Sequence, residues 1–122
     1  MFSYFAYKFL HLVGIFLILL SLGGLLAGRA FAQDSSFTWR KLLTALHGIG
    51  LVLVFVAGFG LLARLEIEWA NQGWVYLKIL GWLVIGLVPV LARKAPSRAL
   101  MLFWVSMVVA IAAAYLANFK PF

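Results

Sequence analysis

The chain contains no cysteine. Disulfides, thiolate nucleophiles, iron–sulfur clusters and cysteine-based zinc sites are therefore excluded together. Acidic residues are almost as scarce, with only Asp34, Glu66 and Glu68 among 122 residues. All three fall between apolar runs, so no carboxylate pair for acid–base hydrolysis and no Ser-His-Asp set can be assembled. Two histidines far apart in the chain give little support to a side-chain metal centre. Charge of either sign is low, at 11% of residues, where a soluble domain carries about 25%.

Hydrophobic residues, at 66%, fill the space that charge leaves. They gather in four runs, Tyr4 to Gly28, Lys41 to Arg64, Trp74 to Arg93 and Ser97 to Asn118. Each is close to the ~20 residues a helix needs to cross ~30 Å of hydrocarbon. Helix is required there, because an isolated strand in lipid leaves its amides unpaired. The links are short and polar, and Pro96 suits the first turn of the last helix. Pro89 is expected to kink the end of the third. Short links make successive helices antiparallel. The expected fold is all-α, a single integral membrane domain over 1–122 built as an antiparallel bundle of four transmembrane helices. Ala30-Phe31-Ala32 before Gln33 has the form of a signal-peptidase site. The preceding apolar run is too long for a signal and Arg29 abuts the site, so no cleavage is expected.

The ten Lys and Arg residues give a net charge of +7. They cluster at helix ends rather than along one face, so they read as topology determinants and lipid anchors, not as a nucleic-acid surface. Arg29, Arg40, Lys41, Arg93, Lys94 and Arg98 share one side, which the positive-inside rule places in the cytoplasm of a cell with a multi-pass inner-membrane protein. Both termini then face the non-cytoplasmic side. Trp69, Trp74, Tyr76, Tyr115 and Phe119 are expected as an aromatic belt on that side, with Trp39 on the other. Small residues mark the expected helix seams: Gly14, Ser21, Gly24 and Gly28; Gly48, Ala57, Gly58 and Gly60; Gly81 and Gly86; Ser106, Ala110 and Ala114.

Three ionisable side chains lie well within the apolar runs, His11, His47 and Lys78. At membrane depth such groups are functional candidates by default. At ~1.5 Å per residue, His11 and Lys78 lie level with each other, toward the end that holds the N-terminus. His47 lies toward the opposite end, ~16 Å from His11 along the membrane normal, so the two histidines cannot ligate one iron. Helical spacing adds Tyr7, Lys8 and Gly14 to the face of His11, and Trp74, Gly81 and Trp82 to that of Lys78. The expected site is a pocket with an imidazole, an ammonium, a phenol and indole walls, with Gly14 leaving room for a flat guest. A tetrapyrrole or a quinone head group suits it. His11 would act as an axial haem ligand or proton relay, and Lys78 as partner to a propionate, a quinone oxygen or a lipid phosphate. The alternative stays open that Lys78 reaches the interface and His11 only bonds a neighbouring helix. For His47 a structural hydrogen bond is expected.

These residues carry a resemblance. Lys8-Phe9-Leu10-His11 resembles the K-x-x-H opening of HemJ-type protoporphyrinogen oxidases. Gly73-Trp74-Val75-Tyr76-Leu77-Lys78 resembles the third-helix segment of that family, with its tryptophan before an essential lysine. Arg40-Lys41-Leu42-Leu43 and Gly58-Phe59-Gly60-Leu61-Leu62 resemble its second helix, and CopD-like and SirB-like membrane proteins share the layout. The likeness covers the first three helices. It implies association with haem b, the oxidation of a porphyrinogen, and His11 and Lys78 as the functional pair. The sequence departs from the oxidases at Gly23-Gly24-Leu25-Leu26-Ala27-Gly28-Arg29, where they carry tryptophan and then aromatic residues, proline and arginine. Two readings follow. One is a redox or tetrapyrrole-binding protein, an oxidoreductase if an enzyme. The other is a non-catalytic accessory subunit in a larger respiratory or photosynthetic complex. The expected partners are the lipid bilayer and either further copies of the chain or such a complex. A small transporter is a third reading, but four helices without an acidic pair make a poor ion pathway unless the chain oligomerises.

Overall fold

A computed structural model describes residues 3–32 and 39–119. The link holding Gln33, Asp34, Ser35 and Ser36, the side chains of Arg29, Trp69 and Phe119, and Lys120 lie outside the described residues. The described chain is all-α: α1 (Tyr4–Ala32), α2 (Arg40–Arg64), α3 (Gly73–Lys94) and α4 (Ala99–Phe119), with 3₁₀ turns at Trp69–Asn71 and Pro96–Arg98. All four helices are long and apolar enough to cross a membrane. The helix over residues 4–32 runs four residues past its expected end, through Ala30-Phe31-Ala32. Pro96 opens the 3₁₀ turn before α4 rather than α4 itself. The third helix continues through Pro89 to Lys94.

The end of α2 shows how a short link is built without glycine. Glu66 adopts the left-handed conformation at φ 56°. The Glu66 N–H donates to the Ala63 carbonyl at 3.2 Å and the Ile67 N–H to the Leu62 carbonyl at 3.0 Å. This is the Schellman pattern, which satisfies carbonyls that the helix end would orphan. The turn is followed by Tyr76, whose hydroxyl donates to the Ala70 carbonyl at 2.9 Å. This last bond holds the link against the start of α3.

Close approach of α1 and α2 dominates the fold. A Cβ on Gly14 would lie 2.8 Å from Val54 Cγ2 and 3.0 Å from the Gly50 carbonyl oxygen. One on Gly50 would lie 2.8 Å from the Gly14 carbonyl oxygen and 3.0 Å from the Ile18 amide nitrogen. Backbone meets backbone here, which only glycine permits. Further along, Gly24 meets Leu43, again where a Cβ would clash, at 2.9 Å. Gly50 was not among the expected seam residues, and Gly48, which was, has open space around it. Two residues along a helix is a rotation of ~200°, so both cannot face α1.

A continuous core forms where the second half of α1 meets the second half of α3 and the first half of α4. Ile18, Leu22, Leu26, Ile85, Val88, Ala92, Ala99 and Leu102 make it up. The hydroxyls of Ser21 and Ser106 are buried there and bond back to carbonyls of their own helices, Ser21 to Leu17 and Ile18, Ser106 to Leu102. These two hydroxyls are thus satisfied within the helices that bear them.

Candidate functional site

His11 and Lys78 come from different helices and line the same two adjoining cavities, of about 310 and 160 Å³. Their expected common level is therefore met by a common space. Val54 and Trp82 also line both cavities and form the ground between them.

The imidazole is held by α2. His11 Nδ1 donates to the Val54 carbonyl at 3.2 Å. A carbonyl only accepts, so this bond requires the proton on Nδ1, and in the neutral ring that leaves the lone pair on Nε2. The ring lies against Gly58, where a Cβ would come within 3.4 Å of His11 Cε1. Gly58 also lines the larger cavity beside the ring. The missing side chain of Gly14 accommodates Val54 and Gly50 of α2 and leaves no space for a guest.

The aromatic wall is partly as expected. Trp74 and Trp82 line the larger cavity. Trp82 Nε1 donates across the interface to the Leu51 carbonyl at 3.0 Å, and Trp74 Nε1 to Gln72 Oε1 at 3.1 Å. Both indoles are fixed by their polar edge, with the ring left for contact. Phe55 extends the wall, its ring centroid 5.0 Å from those of both Trp82 and Phe59. These two phenylalanines were missed, although their spacing of one helical turn was a readable signal.

Tyr7 lies outside both cavities, with its ring over Gly60 in the place a side chain there would occupy. The tyrosine at the larger cavity is Tyr4, one turn before Lys8. Lys8 lines the cavity as well, its Nζ 5.9 Å from the Tyr4 ring centroid, within cation–π reach. The ionisable lining of the larger cavity is Lys8, His11, Lys78 and the Tyr4 phenol, with no carboxylate among the described residues.

His47 lines neither cavity. It is 5% exposed, and its ring faces the backbones of Ile18 and Ile85. Neither ring nitrogen reaches hydrogen-bond geometry with a partner among the described residues. Its level at Ile18 is two turns, about 10 Å, from His11 along α1, less than the ~16 Å expected. That figure assumed spans centred at one depth, whereas α1 runs on to Ala32. The separation still excludes a shared iron.

Among the described residues no group of three or more His, Cys, Asp and Glu could hold a metal ion by itself. No protein family, curated protein or solved structure matches this chain.

Proposed function

We propose that this chain is a polytopic inner-membrane protein of the HemJ, CopD and SirB-like type that binds a tetrapyrrole in the His11/Lys78 cavity. Its four helices cross the bilayer in alternating directions, with both termini on the non-cytoplasmic side. Contacts that ascend α1 while descending α2, from Tyr7 at Gly60 to Gly24 at Leu43, support the alternation. The six cations at one end support the sidedness.

The observation that carries the ligand class is the pairing of a tautomer-fixed imidazole with a wholly basic, aromatic-walled cavity. A haem fits the residues present. An Nδ1–H bound to a backbone carbonyl is the usual support of a metal-ligating histidine, with Nε2 toward the metal. Lys78 and Lys8 would take the acid groups of the macrocycle, and Trp74, Trp82 and Phe55 its faces. A neutral quinone would leave the second ammonium without a role, so the tetrapyrrole is favoured. Haem b, when bound, supplies one-electron chemistry. The volume of about 310 Å³ is at the small end of ligand sites, and the adjoining 160 Å³ extends it.

The test is an absorption spectrum of the purified protein, alone and after haem addition. A Soret band is expected, and it should vanish in His11→Ala. No band under either condition would remove the proposal. The accessory-subunit reading has one observation in its favour: Gly23 and Gly48 face open space, where a partner helix would approach closely. Co-purification of a stoichiometric membrane partner, without a cofactor, would favour it.

A further inference from the structure

Pro89 lies inside α3, which continues through it to Lys94. Proline has no backbone N–H, so the carbonyl four residues earlier, that of Ile85, loses the donor a regular helix would supply. Ile85 belongs to the buried core. Lipid cannot replace the donor there, and a carbonyl left bare in apolar surroundings is costly. Proline survives in membrane helices when a neighbouring helix makes good the loss.

The neighbour is α2. Leu51 of α2 meets α3 twice, accepting from Trp82 Nε1 at 3.0 Å and lying 3.5 Å from where a Gly86 Cβ would be. His47 is one turn from Leu51 on the same helix, and its ring faces the Ile85 backbone. Both of its nitrogens are buried and without a hydrogen-bond partner among the described residues. The other carbonyl it faces, Ile18, already accepts from Ser21 Oγ at 3.1 Å. Of the two acceptors, Ile85 is the one in deficit.

We propose that His47 donates to the Ile85 carbonyl, replacing across the α2–α3 interface the hydrogen bond that Pro89 removes from within α3. The bond would require the imidazole to turn toward that carbonyl, and the neutral ring is sufficient. The bond ties α3 to α2 beside the smaller cavity, whose walls include Ile85. It thereby fixes the register of the helix that carries Lys78 and Trp82. The inference is independent of what the cavities bind.

The experiment is a double-mutant cycle in detergent on the full chain. His47→Leu removes the donor, and Pro89→Ala returns a backbone N–H to Ile85. His47→Leu should lower the unfolding midpoint by about 4 °C when Pro89 is present. In the Pro89→Ala chain it should lower it by less than half as much. Equal losses in both backgrounds overturn the proposal. If His47→Leu alone does not fold, recovery of folded protein in the double variant supports the proposal, and failure to recover overturns it. A heavy-isotope label on the Ile85 carbonyl gives a second readout in the His47→Gln chain, which keeps a donor of different strength. Its infrared band should shift relative to the unsubstituted protein, and an unmoved band counts against the bond.

Discussion

The two ends of this bundle are built from the same four helices and differ in what they leave between them. Toward the end holding Leu22, Leu26 and Ala92, apolar side chains fill the interior and each serine bonds back to its own helix. Toward the end holding His11 and Lys78, bulky aromatics line a cavity, and the indole N–H groups reach to another helix or to the preceding link. Lipid offers no hydrophobic drive for association, so a helix pair closes only where shapes fit. Leu, Val and Ala meet that condition at the solid end. Tryptophan and lysine prevent it at the other, and a cavity remains.

The contrast can be broken by substitution at either end. His11→Ala should have the largest functional effect, abolishing any Soret band, with the unfolding midpoint falling by only about 3 °C from the lost bond to the Val54 carbonyl. A band that persists would detach the imidazole from the cofactor. Gly50→Val should be the most destabilising change, because the new side chain meets the Gly14 and Ile18 backbones, which cannot step aside. About 3 kcal/mol is expected, measured by denaturant titration in detergent, against about 0.5 kcal/mol or less for Gly48→Val, which faces open space. Leu26→Ala, at a residue 2% exposed in the solid end, should cost about 2 kcal/mol and leave the spectrum untouched. Lys78→Met should weaken haem uptake about tenfold without removing the band, since it deletes one charge-assisted contact. Trp82→Phe should have a small effect, comparable to that of Gly48→Val. It loses the bond to the Leu51 carbonyl, and about 0.6 kcal/mol is expected for one interhelical hydrogen bond in a membrane protein.

What the sequence made legible follows the same division. Span lengths are set by lipid thickness, so four apolar runs of about 20 residues fix four helices. The level shared by His11 and Lys78 follows from counting residues at a known rise. Rotation about each helix axis was not legible. These helices are apolar around most of their circumference, so no stripe marks the inward face. Tyr7 and Tyr4 both sit one turn from the Lys8–His11 pair, and only the seating of Tyr7 over Gly60 decides between them. Gly14 was the expected source of room at the imidazole, and only the α1–α2 crossing shows that Val54 and Gly50 take up its space. The burial of His47 depends on three helices at once and no single-helix pattern encodes it.

The larger cavity is bordered by Leu12, Phe55 and Leu65, all exposed on the outside of the bundle. In a bilayer that rim opens sideways into the acyl chains. Occupants would be drawn from molecules already dissolved in one leaflet, and their supply would follow a two-dimensional concentration set by partitioning. Uptake would then track the lipid-to-protein ratio and hardly respond to the volume of surrounding water.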